Sequence, residues 1–271
     1  MDIYNQDILK FNYHNVFPDL SQTIHSDQAW DAKDIGKVES KNRKAHLIGN
    51  LPFNISTILL GQWLHDISER RGLWKFARVP LTLSFQEEIG NRMRAPSCER
   101  DRSRFSILCQ SLCEVKLKRI IPGTAFLPKA KVNCSVIHLV PRPEPLIPVP
   151  YPYLNKLVKA VFQFKTKNVL SALESLFPPD QCKLVIEMFS ETSINPSTSP
   201  IALSMEDFRM LSTKYHEICK QIPAIFNYDF RSRKNDIFYR ERKKMQRIVL
   251  DGNTLTPDFV KESIGQVDFS A

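Results

Sequence analysis

Asn50, Leu51, Pro52 and Phe53 stand together where the apolar run that starts at His46 ends. A carboxamide, a proline and an aromatic ring in succession suit one task, which is to hold a flat and weakly nucleophilic amine. The exocyclic nitrogen of an adenine shares its lone pair with the ring. Two acceptors that draw its hydrogens out of plane release that pair. The Asn50 side-chain oxygen can be one acceptor and the Leu51 carbonyl the other. Pro52 biases Leu51 to an extended conformation, which aims that carbonyl, and adds no N–H of its own to compete. Phe53 then offers a flat apolar face to an unstacked base, worth about 1–3 kcal/mol. With a sulfonium methyl as electrophile no strong general base is needed, because positioning and the two acceptors carry the rate. The same four residues also suit a plain strand end, with Asn in a turn and Phe in the core.

Ligands of open α/β sheets bind beyond the carboxyl ends of the strands, so the neighbouring elements decide what this cluster can do. Residues 45–51 read as a buried strand. Ser56 or Thr57 can cap a helix whose apolar positions Leu59, Leu60, Trp63, Leu64 and Ile67 recur every three or four residues. A strand is predicted over 79–85 and a helix over 86–94. A further helix over 103–113 runs into a strand over 114–122, and Pro122-Gly123 turns the chain towards a last strand over 132–140. Residues 3–9 read as a short strand end and 21–44 as a surface excursion. Strand and helix alternate, which predicts an α/β class with a largely parallel sheet.

Six of the 18 prolines fall within 141–152, which no helix or interior strand accommodates. That stretch marks a domain boundary. Beyond it the pattern is helical over 153–177, 181–190 and 204–220, the last opening on Ser204 and Asp207 in the manner of a capping box. The expected organisation is a first domain over 1–142, a helical domain over 143–230 and a basic tail over 231–271.

The chain carries 38 Lys and Arg against 29 Asp and Glu, a net of +9, and such an excess favours a polyanionic partner. The excess is uneven. Residues 231–250 hold eight Lys and Arg against Asp236 and Glu241, a net of +6, which suits either an RNA contact or a solvated helix or tail. No apolar run approaches the roughly 18 residues that span a bilayer, so no membrane partner is expected. The six cysteines show no CxxC pairing, which points to buried free thiols and no metal site. The first residues form neither a signal peptide nor an arginine-rich presequence.

Taken together, these residues resemble a known family. "NLPF" after an apolar strand looks like motif IV of the ribosomal RNA adenine dimethyltransferases, and "IPGTAFLPKAKVNCSVIHLVP" looks like their later F-x-P-x-P-x-V motif. "TLSFQEEIGNRM", "RSRFSILCQSLCEV" and "VFQFKTKNVLSAL" match in type, order and spacing. The resemblance runs from about Asp7 to Arg231, and "NLPFNISTILLGQWLHDISERRG" has the character of the animal mitochondrial branch. It implies a Rossmann-like class I methyltransferase fold with a small C-terminal all-helical domain. It also implies S-adenosylmethionine as cofactor, and conversion of adjacent adenines in a loop of mitochondrial small-subunit ribosomal RNA to N6,N6-dimethyladenine. A monomer in the mitochondrial matrix that meets the small ribosomal subunit goes with this reading.

Residue by residue, the resemblance gives Asn50 and Leu51 the target amine, with Pro52 shaping the turn. It gives Phe53 one face of the base and Phe126 the other. Asp7 would accept from the adenine amino group of the cofactor, Ile8 would offer its N–H to the same ring, and Asn50 would lie near the methionine end. An Asp at the position of Asp7 is also a common turn former. Arg102, Arg104, Lys165, Lys167, Arg231, Arg233 and Lys234 would contact RNA, although Arg102 and Arg104 also suit a solvated helix start. Ala130 and Asn133 depart from the later motif, standing where the family has its second proline and an aspartate. The family's glycine-rich cofactor loop and ribose-holding acidic residue find no match here. This implies an N-terminally incomplete chain whose strands keep exposed edges. A catalytically inactive RNA-binding protein, with a transcription or ribosome-assembly role, is the alternative function.

Overall fold

Leu81, Leu83 and Phe85 are wholly buried, and the strand that carries them has a neighbour on each side. The computed structural model describes residues 3–11, 30, 37–38, 43–75, 77–163, 167–181, 183–190 and 192–229. Among these, β1 (Lys37–Val38) and β2 (Arg43–Lys44) form a short antiparallel pair. Four longer strands form one sheet: β3 (Leu47–Asn50), β4 (Leu81–Gln86), β5 (Cys113–Ile121) and β6 (Cys134–Pro141), in the order β3-β4-β6-β5.

β3 pairs in parallel with β4, and β6 runs antiparallel to both β4 and β5. Three strands therefore point one way, while β6 lies between two of them and points the other. This corrects the expected largely parallel sheet: in the described sheet only the β3–β4 pair is parallel. Parallel neighbours need a crossover connection, whereas 122–133 joins β5 to β6 as a loop containing one 3-10 turn, which makes them antiparallel partners. β3 is not a buried strand either. It lies at an edge of the described sheet with a partner on one side, and Ile48 is 77% exposed.

Nor is there a strand at 3–9. Asp7 instead caps a single 3-10 turn, Ile8–Lys10, by accepting the Leu9 N–H at 3.0 Å.

Helix α1 (Phe53–Ser68) buries Leu59, Leu60, Trp63, Leu64 and Ile67, as the spacing predicts, and packs on β4. Its start lies ahead of Ser56. Pro52 occupies the capping position, and its carbonyl accepts the N–H groups of Ile55 and Ser56 at 3.1 Å each. Proline fits there because its fixed φ agrees with the helix and the N–H it lacks would have no helical partner. Ser56 turns its hydroxyl back to the Phe53 carbonyl at 3.0 Å. Helix α2 (Glu87–Arg94) lies on β4, β5 and β6. It approaches so closely that a Cβ added at Gly90 would meet Ser135 Oγ at 2.1 Å. Helix α3 (Arg104–Leu112) leads directly into β5.

The chain divides into two compact units, one of residues 1–95 with 108–146 and the other of 96–107 with the residues from 147 onward. In the second, two helices form where one is predicted over 153–177. These are α4 (Tyr151–Gln163) and α5 (Val169–Glu174), the latter capped afresh by Asn168, which accepts the Ser171 N–H at 2.9 Å. Then come α6 (Lys183–Ser190), α7 (Met205–Gln221) and α8 (Pro223–Asn227). Ser204 and Asp207 form the predicted capping box at the start of α7. Lys156 on α4 donates to the carbonyls of Ile225, Phe226 and Tyr228 at the end of α8, which satisfies acceptors that a helix end leaves open. Among the described residues no helix is long and apolar enough to cross a membrane.

Candidate active site

Asn50 is the last residue of β3, and the parallel register sets it opposite Ser84 of β4. The Ser84 hydroxyl accepts the Leu51 N–H at 3.2 Å and donates to Asn50 Oδ1 at 2.6 Å. A hydroxyl has one proton. Since the Leu51 bond uses a lone pair of Ser84, that proton is available to the carboxamide, and the amide oxygen belongs on the Ser84 side. An amide oxygen has two lone pairs, so one remains for a further donor. Asn50 itself is exposed, so its free face is open to solvent. Ser84 is 7% exposed and borders Cys134, whose thiol is pushed up by burial and drawn part of the way back by Ser84 and the Phe85 backbone.

Ser84 carries no role in the sequence reading, yet it is the residue that joins Asn50 to Leu51. Its signal is a hydroxyl within the apolar run "LTLSF", on the strand predicted next after the one that ends in Asn50. A polar group so placed needs a partner. The adjacent strand end supplies it.

Phe53 opens α1 and is half-buried, as is Phe126, which follows the 3-10 turn Gly123–Ala125 after β5. Because β3 and β5 point the same way, both rings follow carboxyl ends at the same end of the sheet, but on its two outer strands, with β4 and β6 between them. Neither is part of the fully buried core. Asn133, where the later motif has an aspartate, accepts the Gly123 N–H at 3.1 Å and donates to Glu87 at 2.9 Å, so the substitution keeps the turn fastened.

Asp7 is exposed, and its described hydrogen bond lies within its own turn, as the turn-former reading expects. Ile8 follows it in that turn. No described hydrogen bond joins either residue to Asn50.

The basic residues fare differently. Arg102 is 1% exposed and donates to the Leu203 carbonyl at 2.9 Å. It is a core residue of the second unit, not the RNA contact or solvated helix start expected of it, because its guanidinium meets a buried carbonyl. Arg104 lies over the Phe105 ring, 5.3 Å from its centre, and is half-buried. Lys167 is exposed beside the α5 cap. Lys165, Arg231, Arg233 and Lys234 lie outside the described residues, as does the whole basic segment 231–250. Of the cysteines, 109, 113, 134 and 219 are buried and Cys98 is exposed, while Cys182 is outside the description. Burial pushes the Cys113 thiol up to about 12 against the opposing pull of Arg142. It also raises Cys109 well above its ordinary range, so both remain neutral core thiols.

The chain is 36% identical over 226 residues to dimethyladenosine transferase 1, mitochondrial, of Xenopus laevis, covering 83% of this chain and 62% of that relative. It is 38% identical over 187 residues to the Homo sapiens protein of the same name, covering 69% of this chain and 54% of the relative. The chain thus spans about three fifths of the length of the curated relatives it matches. A crystal structure of a dimethyladenosine transferase from Plasmodium falciparum shares the fold, with a TM-score of 0.53 at 18% identity over 65% of this chain and 68% of that one. The sequence profile of the ribosomal RNA adenine dimethylase family matches residues 1–213, and the chain belongs to that family.

Proposed function

We propose that this chain carries the target-base half of an S-adenosylmethionine-dependent RNA adenine N6,N6-dimethyltransferase, acting on a loop of mitochondrial small-subunit ribosomal RNA. The observation that carries this reading is the Ser84 hydroxyl holding Asn50 and Leu51 at the carboxyl end of β3. The free lone pair of Asn50 Oδ1 and the Leu51 carbonyl accept the two hydrogens of an adenine amine. Drawing those hydrogens from the ring plane localises the nitrogen lone pair towards the electrophile. Phe53 and Phe126 support the two faces of the base. A loop target suits this arrangement, since an unpaired base is cheap to extrude.

When bound, S-adenosylmethionine supplies a methyl on a sulfonium with a good leaving group. The residues present fit part of it. The Asp7 carboxylate is exposed for the cofactor's adenine amine, Ile8 offers a backbone N–H, and Asn50 is exposed for the methionine end. No residue of the chain matches the family's ribose-holding acid. The relatives named mitochondrial support a mitochondrial location, and the net charge of +9 supports an RNA partner; the matrix, a monomeric state and the small ribosomal subunit go with this reading. The net +6 of 231–250 favours a second reading, RNA binding without catalysis.

Titration with S-adenosylmethionine separates the two. A rise in melting temperature that saturates with ligand is expected from a chain that holds the cofactor. No rise, with RNA still bound, leaves only the non-catalytic reading.

A further inference from the structure

Leu127 is 100% exposed, although the loop that carries it is fastened along its length. The Phe126 and Ala130 N–H groups both donate to the Gly123 carbonyl, at 3.3 and 3.0 Å. Gly123 donates to Asn133 Oδ1, and Asn133 is tied to Glu87 both through its side chain and by accepting the Glu87 N–H at 3.0 Å. The two limbs approach so closely that a Cβ on Gly123 would meet the Ala130 carbonyl oxygen at 2.4 Å. A loop so built does not leave its leucine in water through slackness.

The surroundings are basic. Lys129 and Lys131 are exposed in the same loop. On β5, a register shift between Leu117 and Arg119 breaks the alternation, so Lys118 and Arg119 are exposed in succession on the way into the loop. Bulges re-aim side chains in this manner beside functional sites. A wholly exposed aliphatic side chain adjoins the ring at Phe126 and stands among cations. That combination fits a polyanion with an apolar interior that can be entered between its steps, namely a stacked RNA strand.

We infer that Leu127 is a wedge. It enters the base stack at the place the extruded adenine vacates, while Lys129 and Lys131 meet the flanking phosphates. This rests on the proposed function, since it presupposes an adenine drawn out towards Phe126. Extrusion is unfavourable because stacking is lost, and an aliphatic group that fills the gap offsets that loss. A strand with no stack to open needs the wedge least.

The test uses an RNA hairpin with 2-aminopurine at the target adenine, whose fluorescence rises on unstacking, and an unstructured strand of the same loop sequence. Leu127→Ala and Leu127→Met are compared with the wild type. Full exposure of Leu127 means that neither variant disturbs the core, which melting temperature checks. The expected result is a fluorescence rise with the wild type and Leu127→Met but not with Leu127→Ala. Affinity for the hairpin should fall at least about tenfold more than affinity for the unstructured strand. Equal fluorescence with Leu127→Ala, or an equal loss on both RNAs, overturns the wedge. A wild type that unstacks the base yet transfers no methyl refutes the catalytic reading and leaves the wedge standing. One that does neither refutes both.

Discussion

Ser84 Oγ lies 2.6 Å from Asn50 Oδ1 and 3.2 Å from the Leu51 nitrogen, so one buried hydroxyl orients both residues assigned to the target amine. Ser84 touches neither substrate nor cofactor in the proposed reading and acts through Asn50. Ser84→Ala should slow methyl transfer roughly three- to tenfold, the worth of about 1 kcal/mol of hydrogen bonding. The loss should fall on kcat rather than KM, and Ser84→Thr, which keeps the hydroxyl, should recover most of it. Steady-state kinetics on the three chains decides this. An Ala variant with wild-type kcat would show that Asn50 needs no such hold.

Thr82 and His138 give a pH dependence of known sign. The Thr82 hydroxyl lies 2.9 Å from His138 Nδ1 and 2.9 Å from His46 Nε2. Burial, then Lys118, His46 and Lys116, hold the His138 imidazole below its ordinary value. With the folded pKa depressed, the unfolded chain binds more protons between that value and about 6.5. Stability is therefore full above about pH 6.5 and is lost as pH falls through the folded pKa. Denaturant midpoints measured from about pH 7 to pH 5 should fall, and His138→Gln should flatten the fall. Parallel slopes in the two chains would refute the assignment.

Gly90 tests the packing of α2 on the sheet. A Cβ there would meet Ser135 Oγ at 2.1 Å, Ser135 Cβ at 2.9 Å and Ile137 Cδ1 at 3.1 Å. The serine hydroxyl can rotate away, but its Cβ cannot. Gly90→Ala should destabilise by about 1–3 kcal/mol despite the better helix propensity of alanine. Adding Ser135→Ala should recover part of the loss by removing the nearest atom. Urea unfolding of the single and double variants measures both.

Much of the fold was legible because its signals are local. Leu59, Leu60, Trp63, Leu64 and Ile67 repeat at helical spacing and are buried together, and Ser204 with Asp207 caps α7 as read. What was not legible depends on residues far apart. Alternation along β6 is the same whichever way the strand runs, so its antiparallel course comes from the connection rather than the pattern. Ser84 acquires its role only from the register of β3 on β4. Arg102 reads as a surface cation, yet its acceptor at Leu203 lies 101 positions away and takes it into the core. The place of Asn50 and Leu51 at a strand end was legible, and their role as a pair of acceptors is the proposed reading. That Asn50 Oδ1 already accepts one proton from within the fold was not legible.

The measurement that bears most directly on the chemistry is transfer of a labelled methyl from S-adenosylmethionine to an RNA hairpin with two adjacent loop adenines, for the wild type and Asn50→Ala. The expected result is N6-methylated adenine from the wild type. Asn50→Ala should reduce kcat about a hundredfold or more, as for other lost groups that stabilise reacting polar atoms, with hairpin affinity nearly unchanged. Methylation by Asn50→Ala at the wild-type rate would contradict the assignment of the target amine to Asn50 and Leu51.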